Sequence, residues 1–268
     1  MGLRINSSSP ALEAQRQIGQ RAQELTRNFE GLSSALRINR ARDDAAGLAI
    51  AERLRADVRQ FGRESSNIQS GIGLVQTAEG GLEAQQGAVS RLQELALQAS
   101  NGTLSDDQRA AINAEAQQLL GEIDQVSDNT EFNGIAPLQG VGPINLGVEG
   151  DLEVEVQQSN TASLGIAGLD LSTQAGAQAA LGNIEGASQA IAQNRASLGA
   201  QQNTFESAIA VRENTALNLQ EAESRIRDLD IASAAIERTR NQVLLQSATS
   251  SLLQGNIVPQ TAARLLGG

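Results

Sequence analysis

The sequence has no cysteine, histidine, lysine, tyrosine or tryptophan. Each absence removes a chemistry. Without cysteine there is no disulfide and no thiolate nucleophile. Without histidine, lysine and tyrosine, the commonest general base, the Schiff-base amine and the commonest protein metal ligand are gone. Serine, threonine, carboxylates and arginine remain, and catalysis by a carboxylate pair is a minority route. The expectation is a non-enzyme with no cofactor and no metal. Aromatics are 1% of the chain, all of them the four phenylalanines, whereas compact cores draw much of their buried area from aromatic rings. No window approaches the roughly 18 apolar residues of a membrane span. The stretch from Met1 to Ser7 has no apolar run of signal-peptide length. This composition is compatible with export by a route that needs no cleaved signal. All positive charge is arginine, and the net charge is −11 with a pI near 4.6. That balance argues against nucleic-acid partners, which need a basic face, and against adsorption on anionic membranes.

What is present is periodicity. From Asp43 to Ser100 there is no proline, and every seventh residue from Leu54 is apolar: Leu54, Phe61, Ile68, Val75, Leu82, Val89, Ala96. A second row follows through Val58, Ile72, Ala78, Leu92 and Ala99. An apolar seam at three-to-four spacing predicts a helix packed against other helices. Its slow drift follows from 3.6 residues per turn against a repeat of seven. One helix of about 58 residues would be a strut of roughly 87 Å, too long to fold into an ordinary globule.

Before the strut, Ile18, Ala22, Leu25, Phe29, Leu32 and Leu36 predict a one-sided helix over about 10–35, opened by Ser9-Pro10. Arg37, Arg40 and Arg42 form a basic joint, and Asp43-Asp44 cap the long helix. After it, Asn101-Gly102 stop the helix and Ser105-x-x-Gln108 reads as a capping box. A third helix then carries Ile112, Ala116, Leu119, Ile123 and Val126. Glycines and prolines cluster from Asn133, and Ile144-x-Leu146-x-Val148 and Leu152-x-Val154-x-Val156 alternate around Glu149-Gly150-Asp151. That predicts a hairpin with a three-residue loop. Residues 157–172 read as irregular and weakly polar. Helical period returns with Ala177, Ile184, Ile191, Leu198, Phe205, Arg212, Leu219 and Ile226. The charged rung, Arg212, predicts an ion pair in or beside the seam. A last segment with Leu229, Ile236, Val243, Leu245, Ala248 and Leu252 is expected to end near Gly255, before Pro259.

The fold class expected is mainly α: an elongated antiparallel helical bundle or coiled coil with a small β-hairpin in the middle and paired N- and C-terminal helices. Two domains are expected. Residues 1–42 and 223–268 form a terminal helical domain. Residues 43–222 form a long-helix domain, with a helix at 105–129, the hairpin at about 144–156 and a return helix at about 173–222. The terminal helices have little to bury against alone, and isolated helices are marginal in water. Their apolar faces call for each other or for another copy of the chain.

The run Leu32-Ser33-Ser34-Ala35-Leu36-Arg37-Ile38-Asn39-Arg40-Ala41-Arg42-Asp43-Asp44-Ala45-Ala46-Gly47-Leu48-Ala49-Ile50 closely resembles the N-terminal signature of bacterial flagellin. Ala35 stands where that family usually has glycine, and Arg40 and Arg42 stand where serine and lysine are common. Gln76-Thr77-Ala78-Glu79-Gly80, Thr130-Glu131-Phe132-Asn133-Gly134, Ala222-Glu223-Ser224-Arg225-Ile226-Arg227-Asp228 and the ending with Pro259-Gln260 also match. The matches cover about 1–135 and 180–266. The middle is short, without the large outer domains many flagellins carry.

The resemblance implies a subunit of the flagellar filament, exported unfolded through a narrow channel and assembled under a cap outside the cell. Its terminal helices would line an inner tube and its long helices an outer one. The implied partners are further copies of the chain, cap and hook-associated proteins, and an export chaperone for the C-terminal helix. The polymerisation and coiled-coil seam would comprise Ile18, Leu25, Phe29, Leu32, Leu54, Phe61, Ile68, Val75, Leu82, Val89, Ile191, Leu198, Phe205, Leu219, Leu229, Ile236, Val243 and Leu252. In several family members a Toll-like innate immune receptor binds the long-helix surface, and Arg91, Leu95 and Glu115 match that site. The bland reading makes Arg91 and Glu115 ordinary surface charges. Competing readings are a hook–filament junction protein and a soluble helical binding or chaperone module. A zinc-protease insert, found in some flagellins, is excluded because His-Glu-x-x-His needs histidine. Asn6-Ser7-Ser8 and Asn101-Gly102-Thr103 fit the N-glycosylation pattern, and Ser and Thr within 157–173 are candidates for O-glycosylation, with unmodified polar loop as the default.

Overall fold

A computed structural model describes residues 9–147 and 152–266, with side chains described from 12 to 254. Five helices carry the fold: α1 (Ser9–Ser34), α2 (Ala45–Ala99), α3 (Asp106–Asn129), α4 (Gln174–Arg227) and α5 (Ile231–Leu266). A 3₁₀ turn (Pro137–Gln139) and two short strands, β1 (Ile144–Asn145) and β2 (Glu153–Val154), lie between α3 and α4. The chain divides into two units, Arg59–Ala216 and a second built from Met1–Val58 with Leu217–Gly268. The division falls inside α2 and α4, not at the joints at 42/43 and 222/223 that the sequence marks.

In the Arg59–Ala216 unit the periodic seams meet. Ile68, Val75, Leu82 and Val89 of α2 share one core with Ile191, Leu198 and Phe205 of α4, all essentially fully buried. Contacts run in opposite directions along the two helices: Gln86 donates to Ser188 (2.9 Å), Arg195 pairs with Glu79 (3.5 Å), and Arg212 pairs with Glu64 (2.8 Å). The pair is therefore antiparallel. Arg212 is the charged rung, and Glu64, 7% exposed at its side chain, is its partner. Arg212 donates from Nε, and Gln60 adds a second bond of 2.9 Å to Glu64. These donors hold the Glu64 carboxyl below its ordinary pKa, the Arg212 hydrogen bond first.

Helix α3 opens with the expected capping box. Gln108 N–H donates to Ser105 Oγ (3.3 Å), and Ser105 N–H donates to the Gln108 side chain (3.0 Å). Ile112, Ala116, Leu120 and Ile123 join the same core, and Leu119 is only partly buried against it.

Past α3 the chain makes a tight turn that the sequence reading did not isolate. Phe132 and Ile135 exchange both backbone bonds (2.9 and 3.0 Å) around Asn133-Gly134, which take φ of 51° and 81°. Two left-handed residues in a two-residue loop are what Asn-Gly supplies. The β1–β2 hairpin is real but short. Ile144 pairs with Val154 and Asn145 with Glu153, antiparallel. Its tip, Glu149-Gly150-Asp151, lies outside the described residues. Both features press on α2 where it has no side chain. A Cβ at Gly71 would strike Leu146, and one at Gly73 would lie 3.2 Å from Phe132 Cε2.

Residues 157–172 are irregular, as expected, but they are not a polar surface loop. Leu164, Ile166, Leu169 and Leu171 are buried and close the core. Polar side chains from the helices hold this strap in place. Fully buried Gln85 donates to the carbonyls of Ile123 (3.1 Å) and Ser159 (2.7 Å) and accepts from Ser159 Oγ. Asp124 accepts from Thr161 N–H and Oγ1 (both 2.9 Å), and Asn113 accepts from Leu171 N–H (2.9 Å). Buried backbone needs such partners. Ser159 and Thr161, two of the O-glycosylation candidates, are buried here.

Two helix ends differ from expectation. Helix α4 runs on to Arg227 instead of stopping at 222, because no breaker intervenes before Asp228-Leu229-Asp230. Helix α5 continues past Gly255 and Pro259 to Leu266. A proline removes one intrahelical bond, the one to residue 255, and can leave the rest of the ladder in place.

Candidate assembly interface

The second unit is organised by the joint between α1 and α2 and the joint between α4 and α5. Asp44 caps α2, accepting from Gly47 N–H (2.8 Å). Asp43 accepts from Arg40 N–H (2.9 Å) and Asn39 N–H (3.3 Å), and the Arg40 bond leads in lowering its pKa. Asp230 caps α5 through Ala232 and Ser233, whose backbone bond lowers its pKa likewise. Between these caps the two joints pair as an antiparallel bridge of Leu36 with Asp228. Arg37 N–H donates to Arg227 O (2.7 Å), and Leu229 N–H donates to Ala35 O (3.0 Å). The arginine-rich joint is paired with α1, where Glu30 takes both Arg40 (2.9 Å) and Arg42 (3.4 Å). Across α2 and α4, Arg55–Glu223 (3.0 Å) and Arg227–Glu52 (3.1 Å) close a four-charge ring with Arg55–Glu52 (3.5 Å) and Arg227–Glu223 (3.8 Å).

Helices α1 and α5 pack as an antiparallel pair. Leu229 approaches Gly31, the Arg238 guanidinium sits 5.7 Å over the Phe29 ring, and Arg21 and Glu24 share a cleft with Arg240 and Leu244. The shielded stripe of α5 is Ala234, Arg238, Asn241, Leu245, Ala248 and Leu252, spaced four, three, four, three, four. On α1 it includes Ile18, Leu25 and Leu32, all half-buried. Leu229, Leu54 and Leu219 are half-buried as well, and so is Phe61 of the other unit. On α5 two members of the sequence seam are not covered within this chain: Ile236 is 69% exposed and Val243 60%. With Ile231 and Leu253 they make a bare apolar face on α5, and Leu12 and Phe29 are similarly exposed on α1. Periodicity marked these residues as apolar; it did not separate the covered stripe from the bare one.

The three residues matched to the receptor site do not share one environment. Arg91 donates to Glu115 from Nε (3.1 Å) and Nη2 (2.8 Å) and to Glu94 from Nη1 (2.8 Å), on an exposed surface. Glu115, then Glu94, raise the Arg91 pKa. Leu95 is 2% exposed, so its side chain is core, not surface. Any contact it makes must be indirect, by seating the helix beneath the ion pair.

Among the described residues no cluster of three or more acids could hold a metal, and no helix is long and apolar enough to cross a membrane. Helix pairs stapled by caps and ion pairs, with an apolar face left bare on the terminal pair, define a helical packing protein whose surfaces are its chemistry. The relatives agree. The family pattern for the bacterial flagellin N-terminal helical region matches residues 5–142, and that for the C-terminal helical region matches residues 181–266. A flagellin of Halalkalibacterium halodurans is 40% identical over 269 residues, covering 98% of this chain and 99% of its own. The flagellar filament 33 kDa core protein of Treponema phagedenis is 36% identical over 283 residues, with the same coverage of each. A crystal structure of Bacillus cereus flagellin aligns at 27% identity over 55% of this chain and 88% of its own, with a TM-score of 0.49. The chain belongs to the bacterial flagellin family.

Proposed function

We propose that the chain is a structural, non-catalytic subunit that polymerises copy on copy into the extracellular flagellar filament used for motility. The observation that carries this is the bare α5 face of Ile231, Ile236, Val243 and Leu253, in a chain whose other unit has a closed core. Each such side chain taken from water is worth about 1.5–3 kcal/mol, and repetition along a polymer multiplies it. In this reading the paired α1 and α5 form the inner tube, and the long helices α2 and α4 form the outer one. The seam residues named from the sequence serve this assembly in two ways, the buried ones by shaping the subunit and the bare ones by joining subunits. Cap and hook-associated proteins meet the same surfaces at the filament ends, and an export chaperone covers α5 before assembly.

The test is seeded growth. Purified full-length chain added to short filament fragments should extend them into filaments visible by electron microscopy, at a rate proportional to free subunit. Discrete particles that ignore seeds and concentration would instead favour the helical binding module.

A Toll-like receptor is a second partner, supported by the exposed Arg91–Glu115 pair. The monomer should activate a receptor reporter, and Arg91→Ala with Glu115→Ala should lower that response at least tenfold while seeded growth persists. Full response from the double variant would end this assignment.

A further inference from the structure

The glycines in the helices of the Arg59–Ala216 unit fall into two groups. Gly71, Gly73, Gly81 and Gly176 are places of close approach, where an added Cβ would meet Leu146, Phe132, Thr130 with Leu138, or Asp170 with Thr173. Gly62, Gly80 and Gly87 of α2, Gly121 of α3, and Gly182, Gly186 and Gly199 of α4 are different. A Cβ at any of these seven would meet nothing within 4 Å. None has a positive φ, and all but Gly199 are exposed. Neither a turn nor packing within the chain calls for glycine at these positions. Glycine is among the worst helix formers, because it gives up the most backbone freedom on folding. Seven of them on open helix faces lower the stability of a unit whose core is otherwise closed, and they do so without changing its shape.

We propose that these seven glycines are a destabilising device that keeps the long helices unformed, or readily unfolded, until the chain has left the cell. The inference rests on the reading of the protein as an exported filament subunit and adds how its export is regulated. A helix nucleates at high cost and propagates on intrinsic propensity. Lowering that propensity at solvent-facing positions weakens each helix wherever it is not packed. The final fold is spared, because its core contacts lie on other faces. An unfolded or easily opened chain can thread a narrow channel, whereas a hyperstable helical one would arrive folded. Placing the deficit on the solvent side avoids cavities, which would loosen the core and the assembled surface together.

The experiment replaces all seven glycines with alanine in the full chain, in a flagellated bacterium and as purified protein. Three readouts are taken: the melting temperature of the monomer, the secreted fraction, and seeded elongation on filament fragments. The expected result is a melting temperature higher by roughly 10 °C, a secreted fraction at least fivefold lower, and elongation within twofold of the parent chain. A compensating variant adds Leu82→Ala to the seven alanines, removing a fully buried core side chain. It should return both stability and secretion towards parental values. An unchanged melting temperature would overturn the inference, because the glycines then cost nothing. So would raised stability with normal secretion, or secretion that stays low in the compensated chain. Loss of elongation in the seven-alanine chain would overturn it too, by showing that neighbouring copies press on those glycines. If the parent chain itself is neither secreted through the flagellar route nor able to extend seeds, it is the filament reading that falls.

Discussion

The two units apply the same sequence rule and reach opposite surfaces. In Arg59–Ala216 the seam residues of α2 and α4 other than half-buried Phe61 disappear: Ile68, Val75 and Leu82 have no exposed area, and Phe205 is 1% exposed. In the unit holding α1 and α5, seam residues of the same types and spacing are half-buried, or bare like Ile236 and Val243. The difference is the number of partners. Helix α2 is covered by α4, α3, the hairpin and the 157–172 strap, so its apolar arc has neighbours on several sides. Helix α5 has α1 on one side, and an amphipathic arc wider than one contact leaves a strip over. Heptad spacing specifies that a helix must pack; it does not count how many neighbours one chain supplies. Where the chain runs short of neighbours, other copies make up the deficit.

The comparison breaks most directly on a pair of substitutions. Phe205→Ala removes a ring from the closed core and should cost roughly 3–5 kcal/mol of monomer stability, read as a lower urea midpoint. Val243→Ala should change that midpoint by no more than ~0.5 kcal/mol, because the side chain is already in water. In seeded growth the larger loss should come from Val243→Ala, measured as a raised critical concentration. Equal effects on stability would mean that the two units do not differ as described. Normal growth of Val243→Ala would mean that the bare face is not an interface.

Much of this was legible because helices write their packing into the sequence at fixed intervals. The ladder from Ile68 to Ala96, the Ser105–Gln108 box and the charged rung at Arg212 all follow from local spacing and reappear in space. What escaped was non-periodic or non-local. The strap at 157–172 has no repeat, so Leu164, Ile166, Leu169 and Leu171 read as loop although they close the core. Gln85 and Ser159 are 74 positions apart, and nothing local marks them as partners. The Leu36–Asp228 bridge links segments from opposite ends of the chain. Leu95 shows the opposite failure. Its matched motif points to a contact surface, but its helical phase, three residues from Leu92 and seven from Ala88, puts it in the core.

A smaller effect sharpens the comparison inside the closed unit. Glu64 and Arg212 are the ionic rung of a seam that is otherwise apolar. Glu64→Gln keeps the shape but leaves Arg212 without its carboxylate, a loss of about 2 kcal/mol at pH 7. The sign of the pH dependence follows from the lowered pKa. The folded carboxyl binds its proton less readily than the unfolded one, whose ordinary value is 4.5. The stabilisation is therefore complete above that value and fades as pH falls through the folded pKa below it. The gap between the parent chain and Glu64→Gln should be full at pH 7 and less than half as large at pH 3, by denaturant unfolding at both. A gap that does not change with pH would mean that the pair contributes by packing and not by charge.

The smallest effect concerns the joint of the open unit. Ala35 follows the last residue of α1 and takes φ of 58°, a left-handed conformation that is strained for any residue with a Cβ. It is held there because its carbonyl accepts from Leu229 N–H (3.0 Å) and the next residue forms the bridge to Asp228. The site is a helix C-terminus of the kind that favours glycine. Ala35→Gly relieves the Cβ clash but gives the unfolded chain more freedom, so the two contributions oppose each other. At positive φ the strain outweighs the entropy, and the variant should gain roughly 0.5–1 kcal/mol. Because Ala35 sits inside the pairing of the two joints, the gain should appear as slower amide exchange at Leu229 and Arg37, with the exchange of the Arg59–Ala216 core unchanged. Slower exchange in both units would mean that the joint and the closed core unfold as one.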